Sequence, residues 1–291
     1  MKTDRPRRRP RLRTAPRARL ALAGSLLVAG CSFDTDETPY GPVPATPFTV
    51  TAAVLSAATD PQPLNPTVTL TFSDFPDPGT VQYPALRLGP RGAALEYLVE
   101  TRLVERQITL RPRAELLPEN DYYVQASPQL RALSGQPLPS TYQLRFRTER
   151  KLLPPVTTAE TPLVLADILG AAAGLRARCA FPGCHSRAGG QAPARGLDLS
   201  GSLDEVRAQL AAPAGGLAQP PGRTTPTPLP PIEPLRLLQP GAPEKSYLLR
   251  KLLAHRGFTR ISGDPMPPPP AAPLDEAALR AVQSWIRQGA L

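Results

Sequence analysis

Two thiols and an imidazole stand together in Arg178-Cys-Ala-Phe-Pro-Gly-Cys-His-Ser186 as Cys179, Cys184 and His185, and a thioether, Met266, follows 81 residues later in Gly263-Asp-Pro-Met-Pro-Pro-Pro269. Two thiols followed directly by an imidazole suit covalent attachment of a haem. Each thiol can add to one vinyl group, and the adjacent ring is delivered to the iron. A thioether on a loop stiffened by proline on both sides suits a weaker second axial ligand, and Met266 is the only methionine besides Met1. Four residues separate the thiols here, where attachment ordinarily uses two. The same pair also suits a Cys179–Cys184 disulfide with His185 left in solvent, and both readings stand at this point. Zinc would ask for a fourth protein ligand, and adjacent Cys184 and His185 are poorly spaced for a tetrahedral site. His255 reads as a surface residue capping the end of a helix, and Trp285 as a core residue.

What a cysteine pair does depends on the compartment, and the first residues address that. Residues 1–20 hold nine Lys or Arg against one acid, Asp4, within a chain of 291 residues and formal net charge +10. The whole chain has 34 basic and 24 acidic residues; removing that segment leaves 25 and 23, nearly balanced. A basic surface for nucleic acid thereby loses its support. The apolar run Leu20–Gly30 is too short to span a bilayer, so residues 1–30 read as a secretory signal segment ending before Cys31. Leu27-Val-Ala-Gly-Cys31 resembles the lipobox of bacterial lipoproteins. That resemblance implies lipidation of Cys31 and an N-terminal membrane anchor in the bacterial cell envelope; Ser32 after it is compatible with the outer membrane.

Residues 31–47 are polar, acidic and proline-punctuated and read as an extended tether. From 48 to 149 the pattern becomes alternating: Val68, Leu70 and Phe72; Ile108 and Leu110; Tyr122, Val124 and Ala126; Leu144 and Phe146. Period two with one polar face predicts antiparallel strands around a shared core, with turns at Asn65-Pro66, Pro78-Gly79, Gly89-Pro90 and Ser134-Gly135. Ile108-Thr-Leu-Arg-Pro112, Leu117-Pro-Glu-Asn-Asp-Tyr-Tyr-Val124 and Leu144-Arg-Phe-Arg-Thr148 together resemble the bacterial Ig-like domains, which implies a sandwich acting as spacer or docking module. Asp74, Asp77 and Asp121 read as turn residues, not a calcium site.

Residues 150–162 read as an interdomain linker, after which helical spacing begins. A helix is predicted at Leu163–Arg178, with Val164, Ile168, Leu169, Ala172 and Leu175 on one face, running directly into Cys179. Others are predicted at Pro243–Ala254 and at Asp275–Gln288, the last capped by Asp275 and stopped by Gly289. Ten prolines within 211–243 exclude regular structure there and predict a long loop. Gly196-Leu-Asp-Leu-Ser200, Pro240-Gly-Ala-Pro-Glu-Lys-Ser-Tyr-Leu248, Met266-Pro-Pro268 and Trp285-Ile-Arg-Gln-Gly-Ala290, taken with the cysteine–histidine motif, resemble the c-type cytochrome domain of lipoprotein-borne and planctomycete-type proteins.

The expected chain is therefore multidomain, an all-β Ig-like sandwich followed by an all-α cytochrome c-like domain over 163–291. The resemblance implies one covalent haem c held by Cys179 and Cys184, with His185 and Met266 as axial ligands. It further implies electron transfer with a redox protein partner, and no enzymatic activity, since both axial positions are filled. The competing expectation is a haem-free structural or adhesive lipoprotein closed by a Cys179–Cys184 disulfide.

Overall fold

The computed structural model describes residues 46–57, 60–154, 160–188, 190, 192–193, 196–211, 236–257, 265–267 and 272–290. The expected signal segment, Cys31, nearly all of the tether and most of the proline-rich loop lie outside the described residues. Seven strands form the first part: β1 (Val50–Leu55), β2 (Val68–Phe72), β3 (Leu86–Gly89), β4 (Tyr97–Arg102), β5 (Gln107–Pro112), β6 (Asp121–Ala126) and β7 (Tyr142–Arg147). They pair antiparallel as a four-stranded sheet β1-β2-β5-β4 and a three-stranded sheet β3-β6-β7. This is the strand order of an immunoglobulin constant-type sandwich.

The four alternating runs of the sequence become β2, β5, β6 and β7; of their expected inward residues Val68, Leu70, Phe72, Ile108, Leu110, Tyr122, Val124, Ala126 and Phe146 are buried, while Leu144 is only half-buried. Phe48 stacks on Phe72 at 5.2 Å and Tyr122 on Phe146 at 5.9 Å across that core. At the entry to β6 the Leu117 N–H donates to the Tyr122 hydroxyl at 2.9 Å, pinning the preceding loop to the sheet. Asp74 and Asp77 serve as turn residues as expected, their carboxylates accepting from the Phe75 and Gly79 amides, whereas Asp121 is the first residue of β6 and pairs with Arg145 at 2.8 Å.

The second part contains α1 (Leu165–Leu169), α2 (Leu175–Cys179), α3 (Leu203–Ala211), α4 (Tyr247–Leu253) and α5 (Glu276–Arg287). The single helix expected at 163–178 is two short ones. Gly174 has φ +64, a left-handed backbone that interrupts the helical path. Val164, expected on the buried face, stands at the N-cap of α1 and is exposed. The helix expected from Pro243 opens as a single 3-10 turn, Pro243–Lys245, and is interrupted at the buried, extended Ser246, whose hydroxyl accepts from the Gln239 amide at 2.9 Å. Helix α3 was not expected; Ser202 and Glu205 cap it reciprocally, the Glu205 carboxylate accepting from the Ser202 amide at 2.8 Å. Helix α5 follows its sequence closely. The Asp275 carboxylate accepts from the Ala278 amide at 2.8 Å, and Ala278, Leu279, Val282, Trp285 and Ile286 are buried.

The sandwich and the helices share one core. Phe75, Leu103, Val104 and Leu133 of the sandwich pack in the same cluster as Ile168, Leu253, Leu279 and Trp285. The turn after β4 is bonded directly to α5: the Val104 amide donates to Gln283 Oε1 at 3.0 Å, and Gln283 Nε2 donates to the Glu105 carboxylate at 2.7 Å. Gln283 is 2% exposed. A spacer joined only by a linker is therefore not what is seen. Even the linker residue Glu160 is held to α5 by Arg287 and by Ser284, whose hydroxyl donates to it at 2.7 Å. Arg287 beside it holds the Glu160 carboxyl down at about 2.

Candidate functional site

The chain segment from Cys179 to Leu199 is folded around His185. Helix α2 ends at Cys179, the Ala180 amide donating back to the Arg176 carbonyl at 3.0 Å. A tight turn follows, in which the Cys184 amide donates to the Phe181 carbonyl at 3.0 Å, Pro182 occupies the second position and Gly183 the third with φ +80. That is the pattern of a type II turn, where proline presets one angle and glycine supplies the positive one. The His185 amide then donates to the Cys179 carbonyl at 3.1 Å. The four intervening residues are thus looped out, and His185 is returned to the end of the helix that carries Cys179.

The Gly196–Ser200 motif supports the ring. His185 Nδ1 donates to the Leu197 carbonyl at 3.2 Å, and the Leu199 amide donates to the His185 carbonyl at 2.9 Å. A carbonyl only accepts, so the proton is on Nδ1 and, in the neutral ring, Nε2 carries the lone pair. Leu197 and Leu199 are buried in the helical core. Between them Asp198 accepts from the Ser200 hydroxyl and amide and pairs with Arg187 at 3.4 Å; these contacts lower its carboxyl below the usual range. The Asp198 amide donates to Gln209 on α3 at 2.6 Å, and Arg176 on α2 donates to the Leu199 carbonyl at 3.0 Å.

Cys179 and Cys184 are each 7% exposed. The Cys179 thiol packs in the helical core, where burial pushes it up to about 11. It is free, whereas Cys184 is disulfide-bonded. The expected Cys179–Cys184 disulfide is accordingly not formed: the Cys179 thiol is taken up by the core.

Met266 is half-buried against the same helical core. Its amide donates to the Lys251 carbonyl of α4 at 3.2 Å. His255, expected as a surface cap, lies in the 3-10 turn Ala254–Arg256 after α4, and its Nε2 donates to the Pro267 carbonyl at 2.6 Å. This contact joins residues 12 apart through the proline-rich loop, and nothing in the local pattern announces it. Trp285, at 1% exposure, is core as expected. The structure thus groups Cys179, Cys184 and His185 at the C-terminal end of α2 and fastens the Met266 backbone to α4, and the helical core is what Cys179 and Met266 share. Cys31 lies outside the described residues. Among the described residues no three His, Cys, Asp or Glu side chains gather as a metal cage, and no helix is long and apolar enough to cross a membrane.

Comparison with known proteins bears on the sandwich. Residues 44–148 match the family model of the bacterial Ig-like domain. The seven strands and their order fit that family, and the match begins four residues before the expected boundary and ends one before it. Among solved structures, native alpha-2-macroglobulin from Escherichia coli is similar at 19% identity over 36% of this chain and 33% of that one, with TM-score 0.29. The N-terminal part of the bacterial S-layer protein SbsC is similar at 18% identity over 35% of this chain and 24% of that one, with TM-score 0.27. The chain therefore spans a third or less of these relatives' own length. No curated protein matches it.

Proposed function

We propose that this is a lipid-anchored protein of the bacterial envelope that carries one covalent haem c for electron transfer. The Ig-like domain at 44–148 fits an extracellular or envelope-associated protein, and the lipobox ending at Cys31 supports the anchor. The observation that carries the haem reading is the bond from His185 Nδ1 to the Leu197 carbonyl. It fixes the tautomer and ring orientation that a nitrogen ligand needs. The remaining donors fit the same group: Met266 offers a half-buried thioether, and the looped-out turn keeps Cys179 and Cys184 within one short segment. When bound, haem supplies a one-electron couple, whose potential a methionine ligand raises.

In this reading Cys179 and Cys184, both as reduced thiols, would hold the group covalently through their sulfurs. In a chain lipidated at Cys31 that sulfur is a thioether, and Cys179 and Cys184 are the two thiols left. His185 and Met266 would be the two side chains offered to the iron, and the role proposed is electron transfer. A haem stain on a denaturing gel, using protein matured in a host competent for attachment, tests the proposal. Staining that disappears in the Cys179→Ala/Cys184→Ala double variant is the expected result. An unstained wild-type band with no Soret absorbance overturns it in favour of a haem-free structural lipoprotein, the reading that burial of the Cys179 thiol favours.

A further inference from the structure

We propose that Arg106 of the Ig-like domain and His255 of the helical part form a clamp that fixes the Met266 loop, so that the sandwich positions the Met266 thioether. The consequence at iron rests on the haem reading above; the clamp itself is a property of the polypeptide.

Arg106 closes the turn between β4 and β5 with φ +56, a left-handed backbone that a non-glycine residue seldom takes. Its guanidinium lies 4.7 Å from the centroid of the Phe75 ring. One prong, Nη1, donates to the Ser73 carbonyl of the sandwich at 3.0 Å, and the other, Nη2, donates to the Arg256 carbonyl of the helical part at 3.2 Å. A planar fork held by a ring and by two carbonyls joins two elements in a way lysine cannot reproduce. Arg256 is further tied to α5 by Glu276 at 3.6 Å.

The residue before it completes the path. His255 Nε2 donates to the Pro267 carbonyl at 2.6 Å, while the Met266 amide donates to the Lys251 carbonyl at 3.2 Å. The backbone is therefore fastened on both sides of the Met266 side chain, to α4 and to the turn after it, and that turn is fastened to the sandwich. A neutral thioether is a weak ligand, and the fraction of time its loop spends in the competent position multiplies directly into its apparent affinity. His255 and Arg106 act as positioning residues for Met266.

The test uses the full chain with isotope-labelled methionine methyl groups. The sequence has two methionines, Met1 and Met266, so one resonance reports the loop. With His255→Ala the Met266 resonance is expected to move toward its unfolded position, and peroxide oxidation of Met266 to accelerate about fivefold, the factor for one net hydrogen bond lost from a local opening equilibrium. His255→Gln, whose amide can donate to the same carbonyl, is expected to restore most of both. Arg106→Ala should change both in the same direction from the other domain; if it unfolds the sandwich, Arg106→Lys replaces it. An unmoved Met266 resonance and unchanged oxidation in folded His255→Ala and Arg106 variants overturn the clamp. If these changes appear in protein that never takes up haem, the clamp stands and the electron-carrier reading falls. If haem is attached and the variants leave Met266 and the reduction potential as in the parent, the clamp falls and the carrier stands.

Discussion

The surroundings of the Cys179 thiol suppress its reactivity. Raised to about 11 by burial in the helical core, it is almost wholly protonated at neutral pH. At pH 8 about one thiol in a thousand is then thiolate, and thiolate is the nucleophile. In protein made without haem attachment, where Cys179 keeps its thiol, alkylation of the native chain by iodoacetamide is expected to leave it unmodified on a time scale that labels it fully in urea, as peptide mass spectrometry would show. Fast native labelling would contradict its packing. Glu160 is shifted the other way. Its carboxyl is held at about 2 in the folded chain against an ordinary value of 4.5. The ion pair with Arg287 therefore contributes stability that is full above about pH 4.5 and is lost as pH falls through about 2. With a third of the side chain in solvent the contribution is about 1 kcal/mol after screening. Urea unfolding of Glu160→Gln is expected to show that deficit at pH 7 and none near pH 2.

At the scale of elements, the caps and turns are what the sequence made legible, because each is decided within four residues. Asp275 and Gly289 bound α5, and Pro182-Gly183 makes the turn between the thiols. The box Ser202-Leu-Asp-Glu205 announced α3 in the same local language and is the sign that should have placed it. Strands β3 and β4 were less readable for a physical reason. Strand β3 is four residues long, and the edge strand β4 leaves Leu98 and Val99 partly exposed on successive positions, so alternation fails. At the site, His185 and the Gly196–Ser200 motif could be named from sequence, but not that the Leu197 carbonyl takes the ring proton. Two substitutions check these elements by chemical denaturation. Gly183→Ala must adopt φ +80 and is expected to lose about 1 kcal/mol or more, and Ser202→Ala about 1 kcal/mol through the lost cap.

For the molecule as a whole, the bonds that matter most join residues far apart in the chain. Val104 meets Gln283 across 179 positions, and no periodicity or motif encodes that pairing. Gln283→Leu would leave the buried Val104 amide without its acceptor, and about 1–3 kcal/mol should be lost. Calorimetry of the intact chain is expected to show one unfolding transition for sandwich and helices; two well-separated transitions would contradict a shared core. That core also determines what can be exchanged over evolutionary time. The segment that matches the bacterial Ig-like family ends at 148, yet its Phe75, Leu103, Val104 and Leu133 have their partners among the helices. Cut free, it would carry an apolar patch inviting self-association. Recombination at that boundary would therefore deliver a sandwich with the wrong face, and the heritable unit is the fused pair.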